Sequence, residues 1–281
     1  MVTTFEFTRP KIHLIGEYAN MNAASSALPD GAYTTFRTYA GNDVLRLGQH
    51  VKRLEESAAL MGQPGHLDEA TVRAGVRDAL QAARAQASWV APEARFRLTF
   101  APPKVFISVE PFTPYPASLY AQGVACATVS LHRNNPHAKS TAFIASAADA
   151  LKQLPTGTHE GLMIATDGSV LEGLSSNFFA VMPQPLEGLT LHTEEARVLI
   201  GVTRSLVLEV AQPMLPISTQ AITLTELPSV RECFITSVSR EILPVVQIDG
   251  VTIGEGRPGV ITRTLMQRFA EMVTREAMAL A

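Results

Sequence analysis

Apolar and polar positions alternate along this chain in two periods, and the switches between them mark out the elements. Through residues 1–30 neither period holds, so the stretch reads as irregular, with one short strand near Thr4–Phe7. Gly31 opens GAYTTFRTYAGNDVLRL, which predicts a strand, a turn at Gly41-Asn42-Asp43 and a second strand. In QHVKRLEESAALMG, Val51, Leu54, Ala58 and Met61 recur at helical spacing and Gly62 supplies the stop. A second helix spans Asp68–Ala87, with Val72, Val76, Leu80 and Ala83 on its inner face. Arg95–Phe100 and Val105–Glu110 alternate as strands around Ala-Pro-Pro-Lys. The proline-rich 111–123 stretch reads as a linker. This order predicts a small α+β domain over 1–116 and a larger domain over 117–281.

The second domain opens with the strand GVACATVS. The stretch that organises it is HAKSTAFIASAADALKQLPTGTHEGLMIATDGSVLEGLSSNFFAV, residues 137–181. Lys139 opens a helical pattern through Phe143, Ile144, Ala147, Ala148 and Leu151, which Pro155 and Gly157 stop. A strand over Glu160–Thr166, an Asp167-Gly168 turn, a strand carrying Glu172 and a third strand, NFFAV, follow. Beyond them the pattern predicts a strand at Leu189–His192 and a helix from Gly201 to Val210. ITLTELPSV reads as a strand running into a tight turn. ECFITSVSREILPVVQIDGVTIG gives two or three short strands, and Val260–Met278 a last helix.

Composition narrows the classes. The 281 residues are 46% hydrophobic and 17% charged, the balance of a globular chain with a large core. A net charge of −3 without a basic stripe argues against nucleic acid or an anionic membrane as main partner. The N-terminus lacks a basic start followed by an apolar run, so the expectation is a cytoplasmic protein whose Cys126 and Cys233 stay reduced in apolar surroundings.

Several positions can carry chemistry. Lys139 is one of only five lysines and lies beside an apolar helical face; an exposed lysine at a helix end is the ordinary alternative. Lys152, in the last turn, merely suits the helix dipole. Glu172 precedes Gly-Leu-Ser-Ser-Asn, too small and polar for a plain core strand and suited to close approach of a ligand. Ile200-Gly201-Val202-Thr203-Arg204 opens a helix whose free N–H groups suit an anion. Thr236-Ser237-Val238-Ser239 places hydroxyls after an apolar strand, and Arg53 offers a bidentate donor. Gly254–Gly259 matches GxGxxG, but too few residues follow for a second parallel strand, so it reads as a turn. The seven histidines show no zinc-ligand spacing, and no metal is expected.

Taken in order, HVKRLEESA, GSVLEGLSSNFFAV, LIGVTR, TSVSREILPV and IGEGRPGVITRTLM resemble segments of the class IV, or fold-type IV, pyridoxal phosphate enzymes. That family includes branched-chain and D-amino-acid aminotransferases and aminodeoxychorismate lyases. The resemblance covers roughly residues 30–275. It implies an α/β fold of two domains with pyridoxal 5′-phosphate between them, working as a homodimer.

By the same resemblance Lys139 is the Schiff-base lysine and Glu172 the partner of the pyridine nitrogen. Arg53, Gly201, Val202, Thr203 and Ser237 match the phosphate site. Leu199 matches the apolar residue on the cofactor ring, and Ser176 and Asn177 fall in the same cofactor-binding block. Tyr33, Phe36, Arg37, Arg97 and Val238 are the candidates for the substrate side, with Arg37 or Arg97 on a substrate carboxylate or, equally, in a structural ion pair. The implied reaction moves an amino group between an amino acid and a 2-oxo acid. The alternative is the lyase reaction, releasing pyruvate and an aromatic amine, because YTTFR and RNNPH look closer to the lyases. After Lys139 the chain has Ser-Thr-Ala-Phe-Ile, where branched-chain aminotransferases carry a Gly-Gly-Asn-Tyr-like run. A non-catalytic binding protein on the same fold is the third reading, and it would need a lost lysine or acid.

Overall fold

The computed structural model describes residues 1–184 and 188–280. In chain order the elements are β1 (Val2–Thr8), β2 (Lys11–Tyr18), α1 (Met21–Ser26), β3 (Ala32–Tyr39), β4 (Asp43–Leu45), α2 (Leu47–Leu60), α3 (Glu69–Arg84), β5 (Glu93–Ala101) and β6 (Lys104–Phe112). Then come α4 (Ala117–Gln122), β7 (Val124–Val129), α5 (Ala142–Lys152), β8 (Thr158–Ile164), β9 (Val170–Gly173), β10 (Asn177–Gln184), β11 (Gly188–His192) and α6 (Val202–Ala211). The chain closes with β12 (Ile217–Ser218), a 3₁₀ helix (Leu224–Ser229), β13 (Glu232–Ser237), β14 (Glu241–Ile248), β15 (Val251–Thr252), α7 (Val260–Glu276) and β16 (Ala277–Ala279). Among the described residues no helix is long and apolar enough to cross a membrane.

These elements form two units. The first holds Met1–Pro114, His137–Ala145 and Val273–Ala281; the second holds Tyr115–Pro136 and Ser146–Met272.

In the first unit the described strands make one sheet in the order β16-β4-β3-β5-β6-β1-β2. Its two faces differ in kind. Register places Phe36 opposite Phe96, Leu98 opposite Ile107, and Ile107 opposite Phe5. This apolar face packs on α2 and α3. Phe36 stacks on Phe96 at 5.1 Å and lies 5.6 Å from His50 of α2, while a side chain at Gly75 of α3 would strike Phe7. Fully burying each such phenylalanine contributes about 2–3 kcal/mol. The opposite face carries Tyr33, Thr35, Arg37, Arg95, Arg97, Thr99, Ser108 and Thr4 in adjoining rows. It is polar, yet Thr4, Thr99, Ser108 and Arg37 are all buried.

In the second unit the described strands run β12-β11-β10-β13-β14-β7-β8-β9, with β15 beside β14 and an added pairing of β9 to β10. That added pairing closes six strands into a small barrel, and its register is the single pair Glu172–Asn177. Phe178, Ile235, Leu243, Leu162 and both cysteines fill the interior. Phe179 and Phe234 stack at 4.9 Å on the outer side.

Four local readings need correction. Residues 1–30 are ordered: β1 and β2 form a hairpin, and Asn20 caps α1 by accepting from the N–H groups of Asn22 and Ala23. Lys139 does not open a helix. It lies in extended chain, where Ser140 bridges Ala32, and α5 starts at Ala142. ITLTELPSV carries a 3₁₀ helix rather than a strand, with Thr223 and Glu226 forming a reciprocal capping box. The last helix ends at Glu276, and Ala277–Ala279 pair with β4.

Candidate active site

The first unit contributes a clamped lysine. Tyr33 N–H donates to Lys139 O at 2.8 Å, Lys139 N–H donates to Ser57 Oγ at 3.1 Å, and Thr141 N–H donates to Gly31 O at 3.0 Å. Gly31 is needed there, because a side chain would collide with the carbonyl of Phe100. With its backbone fixed on both sides, Lys139 holds Nζ 4.7 Å from the centroid of the Tyr33 ring. The Arg97 guanidinium lies 4.9 Å from that same centroid.

Arg53 reaches this unit's site from α2. Its Nη2 donates to Thr34 Oγ1 at 2.7 Å, and Thr34 Oγ1 lies 2.9 Å from His50 Nδ1. The hydroxyl accepts from Arg53 and shares its other bond with the imidazole. Burial first, then Arg53 and Lys139, hold His50 well below its ordinary pKa. Burial also pushes Arg53 down to about 10. Arg53 has no carboxylate at ion-pair distance among the described residues, and its Nε is buried without a partner. Among the described residues Arg97 bonds neutral groups, at 2.6 Å to Ser25 Oγ and 3.0 Å to Met21 O, with Nε likewise unpartnered. Desolvation lowers its pKa too. A buried guanidinium without a counter-charge is costly unless an anion joins it.

The second unit contributes a fixed carboxylate. Glu172 Oε1 accepts from Arg133 Nε at 2.9 Å, and Oε2 accepts from Asn177 Nδ2 at 3.0 Å and Leu199 N–H at 3.3 Å. Both charged side chains are nearly sequestered, at 6% and 3% exposure, so the pair acts in low dielectric. Asn177 also donates to Leu199 O at 2.7 Å, tying the barrel's closing pair to the segment before α6. A side chain at Gly201 would strike Asn177 Oδ1, which keeps that position open. Gly201 begins α6 without a side-chain cap, leaving the first-turn N–H groups of Val202 and Thr203 for an outside acceptor. Ser237 ends β13, where its hydroxyl accepts from Arg240 N–H at 3.3 Å.

A family model described as Amino-transferase class IV matches residues 31–248. The chain belongs to that family. It is 28% identical over 261 residues to the D-alanine aminotransferase of Bacillus licheniformis, covering 88% of this chain and 89% of that one. It is 24% identical over 262 residues to the branched-chain-amino-acid aminotransferase of Pseudomonas aeruginosa, covering 87% and 84%. In fold it resembles a hypothetical aminotransferase from Mycobacterium tuberculosis in its PLP-bound form. The TM-score is 0.74 at 20% identity, over 98% of this chain and 99% of that one.

The residues of this class IV chain fit the cofactor of such a relative on three observations. In the first unit Arg53 Nε is buried without a partner; in the second the first turn of α6 has no side-chain cap and Thr236 Oγ1 is buried with no partner, all among the described residues. These are donors awaiting an anionic or ring-bearing acceptor. Lys139, Tyr33, Arg53 and Arg97 come together in the first unit, and Glu172, Asn177, Leu199 and Gly201 in the second. Ser176 spends its hydroxyl on Glu160 at 3.1 Å. Val238 lies half-buried in the turn after β13. Arg37 stacks 4.2 Å from the Tyr39 ring on the polar sheet face. Phe36 is a core residue: strand alternation turns it onto the α2 side, away from Tyr33 and Arg37. Composition and spacing did not single out Thr34 or His50, and named Thr236 only as part of the hydroxyl run 236–239. Only the alternation of β3 about Tyr33, which puts Thr34 on the α2 side, carried any signal for one of them.

Proposed function

We propose that this chain is a pyridoxal phosphate-dependent aminotransferase, working as a homodimer, that moves an amino group between an amino acid and a 2-oxo acid. The observation that carries the reading is the setting of Lys139. Its backbone is bonded on both sides, and its amine rests on the Tyr33 ring. A lysine whose backbone is already fixed has that much less conformational freedom to lose in reaction.

Pyridoxal phosphate supplies a conjugated electron sink for the charge left when a substrate amino acid loses its Cα proton. Lys139 Nζ holds the cofactor, then takes up and returns that proton as general base and acid. Glu172 presents its carboxylate to the ring N–H, oriented by Arg133, Asn177 and the Leu199 amide. Leu199 supplies apolar packing. Arg53, Ser237 and the N–H groups of Val202 and Thr203 hold the phosphate. Arg97 binds a substrate carboxylate, which supplies the anion its burial calls for, and Tyr33, Arg37 and Val238 line the substrate side.

The lyase is the second reading, because the YTTFR and RNNPH runs look closer to the lyases.

The deciding experiment is an absorbance spectrum of the protein with pyridoxal phosphate, before and after L- and D-amino acids. A cofactor band that shifts with amino acids and is restored by a 2-oxo acid supports the transaminase. Release of pyruvate without need of an acceptor selects the lyase. A flat spectrum with cofactor supplied rejects both.

A further inference from the structure

Behind the Ser237 turn lies a buried charge cluster that the roles above leave unused. Glu160 of β8 is fully buried, and its Oε2 lies 3.1 Å from Arg240 Nη1. The same oxygen accepts from Ser175 Oγ at 2.7 Å and Ser176 Oγ at 3.1 Å, while Oε1 accepts from Gly161 N–H at 3.1 Å. Arg240 Nη1 also donates to Ser175 Oγ at 2.9 Å, and Nε donates to His159 Nε2 at 3.3 Å. Burial and the Arg240 charge hold the His159 pKa down, consistent with a neutral acceptor. The backbone of Arg240 is pinned as well. Its N–H donates to Ser237 Oγ and O, and its carbonyl accepts from Tyr120 Oη at 3.1 Å. Gly173 completes the fit, because a side chain there would run into Glu160 and Ser176.

We infer that Arg240 is a positioning residue for the phosphate-binding turn: anchored on Glu160, it locks the 173–177 turn to the 237–240 turn and so sets the Ser237 hydroxyl. A buried ion pair is a weak source of stability, since apolar residues of similar volume do as well. Its directional bonds instead fix two turns in one register. Ser237 is the residue that this register aims, so the inference rests on the reading that Ser237 holds the cofactor phosphate.

The test compares binding of pyridoxal phosphate and phosphate-free pyridoxal to the full chain, by absorbance titration, in wild type, Arg240→Ala, Arg240→Lys and Glu160→Gln. Melting temperature is followed in parallel. A wild-type preference for the phosphorylated ligand that falls about tenfold in Arg240→Ala and Glu160→Gln, and less in Arg240→Lys, supports the inference; tenfold is the scale of one charge-assisted hydrogen bond. Equal weakening toward both ligands marks a merely structural pair and overturns it. So does a preference retained in the folded Glu160→Gln and Arg240→Lys proteins, and that result leaves the phosphate reading standing. A wild type without preference between the ligands sinks the phosphate reading itself and the inference with it.

Discussion

Lys139 Nζ lies 4.7 Å from the centroid of the Tyr33 ring, while Tyr33 N–H donates to the Lys139 carbonyl at 2.8 Å. One residue therefore fixes both the backbone and the amine of the proposed catalytic lysine. A cation over a ring is worth about 0.5–2 kcal/mol, so Tyr33→Leu should slow single-turnover deamination by roughly 2- to 30-fold. Tyr33→Phe, which keeps the ring, should stay near wild type in that assay if the π face is what matters. Equal losses in both variants would reassign the role to the phenol.

Lys139→Ala should abolish turnover and leave no cofactor fixed to the protein after borohydride reduction, as read by mass spectrometry. Cofactor fixed in that variant would transfer the role to another amine, with Lys152 the first to examine.

Glu172 carries two duties, and its substitutions separate them. Glu172→Gln keeps an acceptor for Asn177 or Leu199 but offers the ring nitrogen no carboxylate. Proton transfer should fall about 10²- to 10⁴-fold while cofactor stays bound. Glu172→Ala also removes the last acceptor oxygen, which Gln can still turn to Arg133, and breaking a buried pair outright costs about 3–5 kcal/mol. Its melting temperature should therefore drop well below that of Glu172→Gln. Unchanged turnover in either variant would contradict the proposed role.

The imidazole of His50 sets a pH dependence. Its folded pKa lies well below the ordinary value of 6.5, chiefly through burial and then through Arg53 and Lys139. In the unfolded chain it titrates near about 6.5, so below that pH the unfolded state binds the extra proton. This contribution to stability is complete above about pH 6.5 and is lost as pH falls toward the folded pKa. His159, lowered in the same direction, adds to the slope. Melting temperature measured from pH 8 to pH 5 should decline, and His50→Gln should flatten the decline. An equal slope in that variant would move the effect to other groups.

Gly201→Ala should act at a distance of one contact. The added carbon meets Asn177 Oδ1, so Asn177 must turn and its bond to Glu172 weakens. Cofactor affinity should fall with little change in Lys139 chemistry once the site is saturated. A variant with unaltered affinity would show that the segment before α6 can yield.

Much of this was legible in the chain because local pattern decided it. α2 and α3 follow their apolar spacing, β5 and β6 their alternation, and the Lys139 and Glu172 blocks their family order. β2 was missed because it is exposed on both faces; Leu14, at 63% exposure, carries no inward-outward contrast. β16 was read as helix because Ala and Met favour helix, and pairing with β4 overrides that preference. The extended backbone at Lys139 depends on Ala32 and Gly31, partners remote in sequence that no local window contains. The Thr223–Glu226 capping box was present in the letters but was outweighed by the alternation around it.

The first unit is assembled from three separated stretches, the last of them containing the strand β16, whose neighbours are Leu45, Val44 and Asp43. During synthesis on a ribosome, residues 1–114 emerge without either the Lys139 strap or the strand that covers β4. Their sheet stays incomplete until β16 leaves the exit tunnel, and β4 waits as an open hydrogen-bonding edge while the whole second unit is made. The unit that begins first is completed after the other, so the nascent chain depends on that edge staying unclaimed by other chains.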